Sequence, residues 1–367
     1  MATGKKLRVT VLYPDPRILG GVAIFIEAMR RAIDTSVETT HFLVGRRAGQ
    51  GGLASALLNP VADSWRLARH LRTARPDVVH INPSLNLKSL LRDGFLLLVM
   101  RLLGKRDVFM FIHGWEEDLS SAISSHVVWR ALFRFIYGWP RITVVLAERF
   151  RQQLLAMGFP QERVQVDSAM FDGAMFEGLS RRPHSERRLV FLSRLVPGKG
   201  MWELLDAFGS LKNRYPDLSL YLVGDGTERE TLIAAVAQRG IKDVVITGFV
   251  STREKAQLLL DGDIFVFPTL YGEGCPASLL EAMATGMPCV TTRVGGIPDV
   301  FVDGENGVLL DVVTPQTIGA AIAGLLDNTP RMAAIAATNR DTGWKKYEAK
   351  SVSARIAARY RKVLTPD

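Results

Sequence analysis

The chain has 367 residues, 47% of them hydrophobic and 23% charged, which is enough apolar material for two domains of ordinary size and excludes a disordered chain. Its two cysteines, Cys275 and Cys289, exclude a disulfide framework and point to the cytoplasm. The net charge of +9 comes with no nucleic-acid motif and no stacking pattern of aromatics among the lysines and arginines, so nucleic acid is excluded as the expected partner.

At the start, basic residues from Lys5 precede an apolar run, but Pro14 and Pro16 end it too soon for a signal peptide. It reads as a buried first strand over 8–13. Further strands are predicted at 39–44, 77–81, 108–112 and 142–146, then at 189–193, 219–223, 244–247, 264–267, 289–292 and 307–310. Helical-period segments alternate with them, the pattern of parallel βαβ units, so the predicted class is α/β with two doubly wound parallel-sheet domains. The polar, charged stretch 178–188 is predicted to be the linker, giving domains over 1–180 and 181–344. The most apolar run, 95–103, is interrupted by Arg101 and falls short of the roughly 20 residues a membrane span needs.

Charge is uneven along the chain. Residues 1–183 carry 25 lysines and arginines against 16 carboxylates, residues 184–367 carry 21 of each, and the tail 345–367 has 7 against 2. The first half is therefore expected to meet an anionic partner, and an anionic membrane surface fits, because 84–103 and 127–139 mix arginine and lysine with Leu, Phe, Trp and Tyr. That expectation makes the protein peripheral at the inner face of the cytoplasmic membrane.

Several motifs carry candidate chemistry. Gly20 and Gly21 follow the first strand and open a helix, where missing side chains allow a ligand close to the backbone. Arg17 and Glu116, Glu117 and Asp118 are candidate acceptor contacts. His113 ends the strand 108–112 and by itself reads as a structural histidine. Arg194, at a strand end, and Lys199, in the following turn, form a fork of donors and a point cation that can neutralise a diphosphate leaving group, the work a metal would do. Gly224-Asp225-Gly226 and Gly248-Phe249-Val250 are strand-end turns, the second offering backbone groups to the edge of a base. Asp261-Gly262-Asp263 mimics an Asp-x-Asp metal motif, but it precedes its strand instead of following it, so no metal site is predicted.

The densest signal is Glu273-Gly274-Cys275-Pro276-Ala277-Ser278-Leu279, followed by Glu281. Pro276 suits a first helical position, so the free amides of Ala277, Ser278 and Leu279 are expected to form an anion site suited to a phosphate. Glu281 lies on the face of Ser278, where it can accept hydrogen bonds from a ribose, and Glu273 faces the other side of the phosphate. Phosphate between two hydroxyl acceptors describes a nucleotide-sugar.

This stretch resembles the E-x7-E segment of the retaining, metal-independent glycosyltransferases of family 4, the group 1 transferases, which have the two-domain GT-B fold. The likeness extends in order through Phe191–Gly200, Tyr221–Gly226, Ile246–Val250, Asp263–Pro268, Pro288–Asp299 and Asp303–Leu310. It implies transfer of a sugar from a nucleoside diphosphate, UDP ahead of GDP, to the hydroxyl of a saccharide or lipid-linked acceptor, with neither cofactor nor metal. It also implies that Arg194 and Lys199 contact the diphosphate, that Glu273 orients the sugar and His113 touches it, that Glu281 holds the ribose and Gly248-Phe249-Val250 the base, and that the tail 345–367 packs on the first lobe. Glu273-Gly274-Cys275-Pro276, where relatives commonly read Glu-Gly-Phe-Gly, and Val166–Asp172 depart from the family pattern, which leaves the donor sugar open. Alternative readings are an epimerase or phosphorylase on a similar fold and a non-catalytic sugar-nucleotide binder; a dinucleotide-dependent dehydrogenase is weaker, because Gly20-Gly21 lacks G-x-G-x-x-G.

Overall fold

The computed structural model describes residues 6–17, 20–47 and 53–365; Lys5 and the last two residues of the tail lie outside them. The chain forms two compact units, Met1–Met170 with Ala349–Asp367, and Phe171–Glu348.

In the first unit the strands are β1 (Leu7–Tyr13), β2 (Val37–Leu43), β3 (Val78–Ile81), β4 (Ser84–Leu85), β5 (Val108–Ile112), β6 (Gly114–Trp115), β7 (Ile142–Val145) and β8 (Val164–Val166). Six of them form a parallel sheet in the order β2-β1-β3-β5-β7-β8, a flavodoxin-like arrangement whose order reverses between β1 and β3. All residues of β3, β5 and β7 are buried, as expected of parallel strands covered on both faces. The short parallel pair β4–β6 was not predicted, since two residues show no alternation. It holds the chain just beyond β3 and β5 in register, Ser84 opposite Gly114.

The last helix, Ala349–Leu364, belongs to this unit and buries Val352, Ile356, Tyr360 and Val363 at three- and four-residue spacing. The Tyr360 hydroxyl lies 2.7 Å from His80 Nδ1 in the core. Asp167, 4% exposed, receives Arg355 at 2.7 Å and is also paired with Arg359. Burial alone raises the Asp167 pKa, but the two arginines outweigh it and hold the carboxyl below its usual value of 3.8. A depressed carboxyl pKa contributes stability that is present above 3.8 and lost as pH falls through the folded value. Arg355→Ala/Arg359→Ala leaves that carboxylate buried without its two cations and is expected to cost about 3 kcal/mol in urea unfolding at pH 7. The loss should shrink in acid, where Asp167 is protonated in both proteins.

In the second unit β9 (Arg187–Leu192), β10 (Leu218–Val223), β11 (Val244–Gly248), β12 (Ile264–Phe267), β13 (Cys289–Thr292) and β14 (Gly307–Leu310) form a parallel sheet in the order β11-β10-β9-β12-β13-β14. This is the Rossmann order, reversing between β9 and β12.

The unit boundaries differ from the predicted ones at 180 and 344. Phe171 pairs with Glu348, and its amide donates to the Tyr347 carbonyl at 3.1 Å, while Phe171, Phe176 and Trp344 pack edge to face. The charged stretch 178–188 is not a free linker. Arg182 binds Asp261 through its amide and its guanidinium, Arg181 pairs with Asp263, and the Arg188 amide donates to Asp263 at 2.8 Å. Composition resembling a linker is here a set of charges satisfied inside the second unit.

Candidate functional site

The order reversal between β9 and β12 leaves room at their carboxyl ends, and the loops there are tied to one another by backbone hydrogen bonds. The amides of Leu270 and Tyr271 donate to the Gly198 carbonyl at 2.8 and 2.9 Å, and the Gly296 amide donates to the Glu273 carbonyl at 2.9 Å. Gly200 and Gly295 have φ of +78° and +59°, and a Cβ on either would sit 2.1 Å from the Pro268 carbonyl oxygen or 1.7 Å from that of Glu273. Only glycine allows these loops to approach so closely.

This framework brings Glu273 and Lys199 together as a salt bridge, with side chains 15% and 5% exposed. Lys199 Nζ also lies 4.2 Å from the centroid of the Tyr271 ring, a cation–π contact. Burial raises the Glu273 pKa above 4.5, and the fields of Lys199 and Arg194 oppose that rise. Arg194 is exposed, and among the described residues its guanidinium has no hydrogen-bond or ion-pair partner. One cation is thus held in place by the carboxylate and the other is free to meet an anion.

The helix Ala277–Thr285 begins one residue later than predicted: Pro276 is its N-cap, with ψ of 115° outside the helical range. Leu279 is also not a free amide, since it donates to the Pro276 carbonyl at 3.1 Å in a tight first turn. Of the three amides expected to be free, this leaves those of Ala277 and Ser278. Cys275, in the loop 273–276, and Cys289 are both buried, and neither forms a disulfide. Glu281 is buried, and its Oε1 accepts from Lys255 Nζ at 2.6 Å. Lys255 was not anticipated, because a lysine in the amphipathic helix Thr252–Asp261 carries no sequence mark that separates it from a solvated one.

Around these groups lie the glycine turns. Gly224 and Gly226 pack so closely that a Cβ would lie 1.9 Å from the Ser193 oxygen and 2.2 Å from that of Leu195. The Gly248 carbonyl already accepts from the Gly224 amide at 3.2 Å and from Thr247 Oγ1 at 2.9 Å, so of the expected base contacts this one is engaged within the protein. The Phe249 side chain is exposed. Asp261 and Asp263 have their carboxylates engaged by Arg181, Arg182 and Arg188, as described above.

In the first unit the candidates cluster where β1, β3 and β5 end. Asn82 Nδ2 donates to the Leu12 carbonyl at 2.9 Å, which leaves its Oδ1 facing His113 Nε2 at 2.9 Å. The histidine must donate there, and its Nδ1 is the remaining acceptor. The ring stacks on Phe111 at 4.5 Å, and burial pulls its pKa down to about 3, so it stays neutral in the working range. Gly20 is the N-cap of the helix Gly21–Ala32 without a side-chain cap, and a Cβ on Gly21 would meet nothing within 4 Å. Two candidate acceptor contacts are already engaged: Arg17 with Asp15 at 2.7 Å, and Glu117 with Arg149 at 3.2 Å.

The model of the glycosyl transferases group 1 family matches residues 179–342, and that of the glycosyl transferase 4-like domain matches residues 7–167. The GDP-mannose-dependent alpha-(1-6)-phosphatidylinositol monomannoside mannosyltransferase of Mycolicibacterium smegmatis is 34% identical over 187 residues, 49% of this chain and 48% of the relative. The MMP alpha-(1->4)-mannosyltransferase of Mycolicibacterium hassiacum is 28% identical over 350 residues, 90% of this chain and 80% of the relative. The chain spans about half the length of the first curated relatives it matches. Among solved structures, Anabaena HepE in complex with UDP and glucose superposes with a TM-score of 0.72 at 17% identity, covering 97% of this chain and 99% of that one, a likeness of fold. The two Rossmann-like units, each matched by its own family model, place this chain in the group 1, family 4 type glycosyltransferases with the GT-B fold.

Proposed function

We propose that the chain transfers a sugar from a nucleoside diphosphate sugar to an acceptor hydroxyl, with retained anomeric configuration and without a divalent ion. The observation that carries this reading is the Lys199–Glu273 pair set beside Arg194, whose guanidinium has no partner among the described residues, and the start of the helix Ala277–Thr285. Positive charge is concentrated there in a form that needs no metal: a guanidinium, an ammonium and two helix-start amides can take up the charge that grows on a departing diphosphate. Front-side displacement lets that leaving phosphate accept the acceptor's proton. His113, neutral and with Nδ1 as its acceptor, suits a contact to a sugar hydroxyl, and Glu281, oriented by Lys255, suits the ribose.

UDP is taken as the nucleotide. GDP-mannose, the donor of the Mycolicibacterium smegmatis relative, makes a GDP-sugar the second reading, and thermal shift with a panel of nucleotide-sugars separates the two. The acceptor is read as a lipid-linked or envelope saccharide, met at the cytoplasmic side of the membrane. Kinetics in excess chelator test the site. Glu281→Ala is expected to raise the donor KM about tenfold with kcat little changed, the loss of one charged hydrogen-bond acceptor. Arg194→Ala is expected to lower kcat and kcat/KM together by about 100-fold. Unchanged constants in both variants, or activity that appears only when Mg²⁺ or Mn²⁺ is restored, would overturn the reading.

A further inference from the structure

Two helices of the first unit turn apolar faces away from the core. On the helix Leu87–Leu102, the residues Leu87, Leu91, Phe95 and Leu102 form one stripe at helical spacing and are exposed, Leu102 to 86%. On the helix Val127–Tyr137, Val128, Trp129, Leu132 and Phe135 are exposed as well. Between the two runs an apolar groove of about 190 Å³, lined by Leu91, Phe95, Trp129 and Leu132 among others. Contiguous exposed apolar surface of this kind marks an interaction site.

Its neighbour identifies the partner. Arg101, at the end of the first helix, lies 3.9 Å from the exposed Phe135 ring, donates to the Phe135 carbonyl at 2.6 Å and lines a second depression. That depression, of about 510 Å³, is lined by Arg101, Arg106, Arg141, Arg163 and Trp139. Among the described residues the side chains of Arg106 and Arg163 have no ion-pair partner, and buried Arg141 Nε has no hydrogen bond, only Asp107 at 3.4 Å. The unit as a whole carries 28 lysines and arginines against 15 carboxylates.

We propose that this face docks on a lipid bilayer, the apolar stripes entering the interfacial layer and the arginine pocket receiving the phosphate of an anionic phospholipid. A second copy of the chain is the weaker occupant, because a two-fold contact through this face brings arginines against arginines. Among the described residues no helix is long and apolar enough to cross a membrane, so the attachment is to the surface. A tryptophan beside arginines next to an apolar stripe is the composition suited to that layer.

The test is sedimentation of the full chain with vesicles of phosphatidylcholine alone and of phosphatidylcholine with about one-third phosphatidylglycerol, with no donor or acceptor present. Its failure therefore leaves the transfer reaction untouched. The chain is expected to bind the anionic vesicles at least about tenfold better, and to be released as salt rises to about 0.5 M. Arg106→Glu/Arg163→Glu and, separately, Phe95→Glu/Trp129→Glu should each lower binding about tenfold or more while thermal unfolding stays native-like. If the second pair does not fold, Val128→Glu at a position 76% exposed carries the same readout. Equal partitioning onto both vesicles, binding by the variants equal to that of the parent, or a dimer that Phe95→Glu/Trp129→Glu converts to monomer without any vesicle binding would each overturn the proposal.

Discussion

Lys199→Met is expected to lower kcat/KM on the order of 1,000-fold and to cost about 3 kcal/mol of stability, and the two losses have different causes. On the proposed reaction, the first comes from removing a cation that would meet the charge of the leaving diphosphate. The second comes from Glu273, whose carboxylate is then buried with no ammonium beside it. Burial already raises the Glu273 pKa, and without Lys199 it rises further. A carboxyl with a raised folded pKa destabilises the charged form, so the variant should recover stability as pH falls through that value. Lys199→Met/Glu273→Gln removes both charges and is expected to restore most of the stability and none of the turnover. Steady-state kinetics and urea unfolding on the parent and both variants decide the matter. If turnover returned with stability, the pair would be only a structural clasp between two loops.

Gly295→Ala should be the most damaging change of a single methyl group. Its Cβ would stand 1.7 Å from the Glu273 carbonyl oxygen, at a φ of +59° that L residues rarely adopt. Positive φ and backbone overlap together are expected to cost about 3 kcal/mol, measured by thermal or urea unfolding. The overlap can be relieved only by moving the loop that holds Glu273, so activity should fall even where the protein stays folded. Gly21→Ala is the internal control: its Cβ meets nothing within 4 Å, so stability should be unchanged and any loss of turnover reports a ligand at that helix start. A Gly295→Ala protein as stable and active as its parent would show that this loop does not set the position of Glu273.

Legibility from sequence followed the range of each interaction. β5, β12, β13 and β14 were read at their observed limits, since short apolar runs bounded by turns are local patterns. The two-residue strands β4 and β6 were missed because their pairing is a contact between distant segments. The stretch 178–188 was misread for a similar reason. Its arginines look solvated in one dimension and acquire Asp261 and Asp263 only in three. The start of the helix Ala277–Thr285 was misplaced by one residue, a displacement small in sequence that removed Leu279 from the free amides.

The candidate site divides along the same line. The residues with chemistry to offer, Arg194, Lys199, Glu273, Glu281 and His113, could be named from residue type and spacing and from a family resemblance, because a loop that turns into a helix leaves a local mark. Which of them pair could not be read. Whether Lys199 meets Glu273 across 74 positions, Lys255 meets Glu281, or Asn82 fixes the tautomer of His113 depends on which strands lie side by side. The chain alone determined alternating strands and helices, two Rossmann-like lobes and a small-residue loop that turns into a helix, all products of short-range periodicity and turn chemistry. Strand order decided the rest, because it sets which loops share a sheet edge and so which charges are neutralised and which remain for a ligand.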